Sequence, residues 1–182
     1  GGSYVGYTQW AVADQLQAFV PVVTSANMYE LIYPSGIFSL ATAFNWGLVV
    51  DSKTTNAIEP EKVVAAYSIL PLSVADDSIW AQNDFMDDWL KHESEDEYWI
   101  KINHRHLKPS PMYSVAGWYD IFLPSQIEDF ISQGNHRHAE SKLVIGPYAH
   151  GQILLETDWG EHGKLNRHEK HIHEFLSNQL NK

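Results

Sequence analysis

Ser3, Asp120 and His150 are the residues of this 182-residue chain whose types and placing could act together chemically. Ser3 stands in Gly1-Gly2-Ser3-Tyr4-Val5-Gly6, Asp120 closes Gly117-Trp118-Tyr119-Asp120, and His150 lies in Gly146-Pro147-Tyr148-Ala149-His150-Gly151. A serine hydroxyl is a poor nucleophile until a base takes its proton, and an imidazole does this near neutral pH when a buried carboxylate holds its tautomer. The chemistry would be acyl transfer through a serine ester. Each residue also has a plainer use: a Gly-Gly-Ser start reads as a linker, an Asp before a helix as a cap, a lone His as surface. Their joint placement argues for more. Each falls in a loop after a predicted strand or opens a helix, and catalytic groups of open α/β sheets collect at the carboxyl ends of strands.

The elements that must position them fall into three pieces. In residues 1–25 the glycine turn leads into a helix around Thr8-Gln9-Trp10-Ala11-Val12-Ala13, then a short strand, Phe19-Val20-Pro21-Val22-Val23, where Pro21 denies one ladder hydrogen bond. Residues 26–109 read as helical. Ile37, Leu40, Ala41, Phe44 and Leu48 recur at helical spacing before a polar break from Asp51 to Asn56; Glu61–Leu70 is a second helix ended by Pro71; Ile79–Leu90 is a third with Phe85, Trp89 and Leu90 inside. In residues 110–182, strands at Met112–Gly117 and Lys142–Gly146 alternate with helices. One of these starts at Gln126 behind a Ser125/Glu128 capping box and stops near Gly134; the other runs from about Leu165 to Leu180 with Ile172, Phe175 and Leu176 on one side. Strand, helix, strand, helix in this order implies parallel crossovers.

Composition narrows the partners. Twelve basic residues against 23 acidic ones, a formal net charge of −11, cannot neutralise a phosphate backbone, so nucleic acid is not an expected partner. No stretch approaches the ~20 apolar residues of a membrane span. The absence of cysteine excludes disulfides, thiolate metal sites and a cysteine nucleophile. The acids between Asp76 and Glu97 read as a solvated helix face. A metal hydrolase is the enzymatic rival, prompted by His104/His106, His136/His138 and His168/His171/His173. His168-Glu169 is followed at the fourth position by Ile172, however, so the His-Glu-x-x-His pattern fails, and no metal or other cofactor is expected.

The sequence resembles the X-Pro dipeptidyl-peptidase and cocaine-esterase family of serine hydrolases. Gly1-Gly2-Ser3-Tyr4-Val5-Gly6 matches the family's Gly-x-Ser-Tyr-x-Gly turn, Gly117-Trp118-Tyr119-Asp120 its acid segment, and Gly146-Pro147-Tyr148-Ala149-His150 its Gly-Pro-aromatic-x-His segment. The order serine, acid, histidine is that of α/β-hydrolases. The resemblance implies Ser3 as nucleophile, Asp120 as orienting acid, His150 as general base and the Tyr4 backbone N–H as oxyanion donor. It implies Phe122 in an acyl pocket and Tyr29, Tyr33 and Trp46 as substrate contacts from a cap, although large aromatics equally suit a cap core. The implied fold is a partial α/β-hydrolase, about three parallel strands with flanking helices and an inserted helical cap. In relatives further strands, bearing a second oxyanion donor, precede the nucleophile, so a truncated catalytic domain is expected. The implied substrate is a small ester or short peptide. The alternative is a non-catalytic binding domain that keeps the turn and self-associates through an exposed sheet edge.

Overall fold

The structure is a computed structural model that describes residues 1–50, 60–79, 84–134, 138–151 and 166–181. In chain order its elements are α1 (Ser3–Trp10), α2 (Tyr29–Ile32), α3 (Leu40–Val50), α4 (Pro60–Ala66), α5 (Asp84–Lys91), α6 (Glu97–Lys101), β1 (Tyr113–Tyr119), α7 (Leu123–Ser132), β2 (Lys142–Ala149) and α8 (Asn166–Leu180). They form two compact units, Gly1–Asn27 with Asn103–Lys182, and Met28–Ile102. Among the described residues no helix is long and apolar enough to cross a membrane.

The first unit is a partial α/β fold built on a small parallel sheet. β1 and β2 pair in parallel from Tyr113/Lys142 to Gly117/Gly146. Residues 19–23 join them through single bridges, Phe19 to Met112 and Val22 to Val115, and Gly2 in turn bridges Val22, all in parallel. The expected strand at 19–23 is therefore a bridged extended run. Pro21 lacks an N–H, but its carbonyl still accepts from Val115 N–H at 2.9 Å.

Alternation along β1 assigns its two faces, because successive side chains of a strand point to opposite sides. Tyr113 and Val115 pack with Val22, Val23, Tyr148 and Phe175 of α8. Met112 packs instead with Trp10, Ala13, Phe19 and Ala26, and the Ser114 hydroxyl accepts from Gln126 Nε2 of α7 at 2.7 Å. Both faces of the strand are thus covered, as a parallel sheet requires. On α8, Ile172, Phe175 and Leu176 face this core as their spacing predicts.

α7 begins earlier than its capping-box signature predicts. Its first residues are Leu123 and Pro124, and Ser125 lies buried inside the first turn. Asp120 Oδ1 accepts from Phe122 N–H at 2.8 Å, and Leu123 N–H reaches the Asp120 carbonyl at 3.2 Å, so the acid turn starts the helix. Proline is tolerated in a first turn, where its missing N–H has no helical partner to lose. At the other end Gly134 takes φ +46°, a left-handed value natural to glycine.

The second unit is helical, with two apolar clusters. Phe44, Ala66, Ala75 and Met86 form one; Ile32, Tyr33, Ala43, Trp89 and Trp99 form the other. Several expectations shift here. Ile37 precedes α3 and is exposed, and α4 ends at Ala66 rather than Leu70. On α5 Trp89 is buried and Leu90 packs on the core as expected, but Phe85 faces solvent and Met86 takes the inward place beside it. α6 is not foreseen from the sequence, although Asp96 caps it by accepting from Tyr98 N–H at 2.9 Å. The acidic run is mostly exposed as expected; Asp76 is the buried exception. The polar break from Asp51 to Asn56 lies outside the described residues.

Candidate active site

Ser3 sits at a strand-to-helix turn. Gly2 is extended (φ −100°, ψ 154°), Ser3 N–H donates to Val22 carbonyl at 3.0 Å, and α1 starts at Ser3 itself. Ser3 has φ +53°, a left-handed conformation that costs an L-residue ~1–2 kcal/mol. The neighbours impose it. Gly2 is held by its bridge to Val22, and its carbonyl accepts from Gly6 N–H at 3.2 Å. A Cβ on Gly6 would lie 2.6 Å from Thr24 Cγ2 and 2.8 Å from the Gly1 carbonyl, so only glycine lets α1 approach this closely. The opening glycines are therefore a pinned turn, not a free linker.

Asp120 and His150 follow the ends of β1 and β2. His150 Nδ1 lies 2.8 Å from Asp120 Oδ2, and His150 Nε2 lies 3.0 Å from Ser3 Oγ. With a carboxylate at Nδ1 the ring hydrogen belongs there, which leaves Nε2 to accept from the serine hydroxyl. Burial separates the two: the Asp120 side chain is 0% exposed and that of His150 29%. The carboxylate is shielded from water, and the imidazole remains reachable. The other Asp120 oxygen is fixed by Phe122 N–H, and the buried Phe122 ring lies 5.4 Å from the imidazole. Tyr4 occupies the first turn of α1, whose amides point toward the helix start, the positive end of its dipole.

Ser3, Asp120 and His150 thus meet from three distant parts of the chain. Residues 1–152 match the model of the X-Pro dipeptidyl-peptidase (S15 family). The chain belongs to this family. Among curated proteins it is 26% identical over 184 residues to the cocaine esterase of Rhodococcus sp. (strain MB1 Bresler), covering 84% of this chain and 31% of the esterase. Among solved structures it resembles an aminopeptidase from the marine sediment archaeon Thaumarchaeota archaeon, with a TM-score of 0.60 and 19% identity over 84% of this chain and 28% of that one. The latter likeness bears on the fold alone. The chain spans less than a third of either relative's length.

The remaining candidates are placed by the second unit or by local contacts. Tyr29 and Tyr33 stack at 5.4 Å, and their hydroxyls donate to the carbonyls of Glu93 (3.1 Å) and Trp89 (2.9 Å). Burial pushes the Tyr33 hydroxyl up to about 12. Trp46 packs half-buried against the same cluster. Of the three only Tyr33 is fully buried; Tyr29, like Trp46, is half-buried. Of the histidines weighed as metal ligands, His168 lies 2.7 Å from Tyr148 Oη and His171 lies 3.7 Å from Glu174, while His136 is outside the described residues. Among the described residues no three His, Asp or Glu side chains converge.

Two features of the first unit escape sequence reasoning. Asp129 is almost fully buried and accepts from Ala26 N–H at 2.8 Å and Arg105 Nε at 2.8 Å. Burial pushes its carboxyl up to about 6, against the opposing pull of Arg105 and the Ala26 amide. Within a helical Glu-Asp-Phe run it reads as one more solvated acid. The second feature is Tyr148, whose only sequence signal is the pair of motif glycines it packs against.

Proposed function

We propose that the chain carries the catalytic centre of a serine hydrolase that cleaves ester or amide bonds, acyl or X-Pro dipeptidyl, as part of a larger catalytic domain. The observation that carries this reading is the hydrogen-bonded run from Ser3 through His150 to buried Asp120, with Ser3 held in a left-handed turn at the head of α1.

In this reading His150 Nε2 takes the Ser3 proton as Oγ attacks the substrate carbonyl carbon. The carbonyl π pair moves onto oxygen, which the Tyr4 N–H stabilises. Asp120 stabilises the imidazolium without itself taking the proton. Collapse re-forms the carbonyl, the C–O or C–N bond breaks, and the leaving alcohol or amine takes the proton from His150. Water repeats the sequence on the acyl-serine, losing a proton to His150, and Ser3 departs with that proton restored. No cofactor enters the scheme.

Tyr4 supplies one oxyanion donor, and lack of one such donor lowers turnover by ~10²–10³. Acylation is therefore the step to measure. With a p-nitrophenyl ester the chain is expected to give a stoichiometric burst of nitrophenol that is absent in Ser3→Ala. Equal traces from the two proteins would overturn the reading.

A further inference from the structure

Between Gly117/Gly146 and Tyr119/Ala149 the register of the sheet shifts: β1 advances two residues and β2 three. The extra residue falls at Pro147-Tyr148, and it decides which side chain meets the acid. In unshifted register Ala149 would come level with Asp120; with the extra residue His150 does. Bulges of this kind re-aim side chains beside active sites.

Tyr148 holds the shift in place. A Cβ on Gly117 would collide with the Tyr148 carbonyl oxygen, and one on Gly146 would collide with the Tyr148 ring. The glycines of the acid and histidine motifs thus both make room for this one residue. Its ring is buried with Val22, Val115 and Phe175. Its hydroxyl lies 2.7 Å from His168 Nε2, and the two rings meet edge-on at 5.9 Å. His168 belongs to α8, so this bond ties the bulge to a helix on the far side of residues 152–165.

We propose that Tyr148 and His168 are positioning residues: their bond locks the bulge that aims His150 at Asp120. The proposal rests on the hydrolase reading for its consequence in rate, but its geometric content is independent of that reading. A merely structural Tyr148 would be served by its ring. A latch needs the hydroxyl and an acceptor on α8.

The test compares Tyr148→Phe, which keeps the ring, with His168→Ala and His168→Gln, the last retaining an acceptor on a half-buried surface position. Two quantities are read on the 182-residue chain: the proton resonance of His150 Nδ1–H, which reports its bond to Asp120, and the acylation rate from the nitrophenyl-ester burst. Tyr148→Phe and His168→Ala are expected to shift or broaden the resonance. They should slow acylation ~10-fold at saturating ester, since small misplacements of reacting groups cost factors of this order and above, with the half-saturating ester concentration unchanged. His168→Gln should restore much of both. A wild-type resonance in Tyr148→Phe or His168→Ala, or a moved resonance with an unchanged rate, overturns the proposal. If the unsubstituted chain bursts no more than Ser3→Ala, the hydrolase reading fails and the resonance alone decides the latch.

Discussion

Among the described residues are two His–Asp pairs of nearly equal length and very different surroundings. In the first unit His150 and Asp120 are brought together at 2.8 Å from separate strand ends, with the acid side chain wholly buried and Ser3 on the far ring nitrogen. In the second unit His92 and Asp96 meet at 2.6 Å across a single turn, with side-chain exposures of 34% and 44%. Asp96 already caps α6, the His92 ring stacks flat on Tyr98 at 4.5 Å, and the His92 carbonyl accepts from Trp99 Nε1. On the proposed reading it is the longer bond that serves a base, because its acid is dry and the outer ring nitrogen faces a hydroxyl held in place, while the shorter one closes a turn.

The largest expected effect breaks the first pair. Asp120→Asn keeps the shape but gives the imidazole the wrong tautomer, and acylation should fall by ~10⁴, as tautomer reversal does in serine triads. Burst kinetics read it directly, and a loss below tenfold would mean that Asp120 does not orient His150. Asp129 comes next, because it is as buried as Asp120 yet holds backbone and Arg105 rather than a histidine. Asp129→Ala removes the acceptor from the Ala26 amide and the guanidinium, and should cost about 3 kcal/mol of stability in denaturant titration. The pH dependence follows from linkage. Because its folded value is raised to about 6 from 3.8, the native state holds a proton there that the unfolded state releases. This group's contribution to stability therefore falls as pH rises from about 4 to 6, and the slope should vanish in the variant.

Much of this contrast was legible in the sequence, and the part that was not has a physical cause. Ser3, Asp120 and His150 announce themselves because a glycine turn opening a helix and glycine-containing loops after strand runs are local signals, and their order in the chain needs no contacts. Whether His150 rather than Ala149 reaches Asp120 depends on a register shift between two strands, which no single segment encodes. The start of α7 departs from the expectation because Ser125 and Glu128 have capping spacing, while the group that starts the helix is Asp120, five positions before Ser125. Phe85 and Met86 differ by one position on a short helix, and periodicity over eight residues does not separate them. Asp129 was invisible because its ionic partner lies far back in the chain, at Arg105.

The smallest expected effect sharpens the comparison from the other side. Asp96→Asn should leave the acylation rate unchanged, because nothing in its surroundings resembles Ser3. Its effect belongs to acid stability. The bond from His92, then the Tyr98 amide, hold the Asp96 carboxyl below its usual value, so its stabilising contribution is present above pH 3.8 and is lost as pH falls through the lowered value. This sign is opposite to that of Asp129. Acid titration of thermal unfolding should therefore show the variant losing less stability than the parent below about pH 4, with a small difference near neutrality. An Asp96→Asn chain that acylates more slowly than the parent would make the second pair part of the chemistry and dissolve the distinction between a base and a turn.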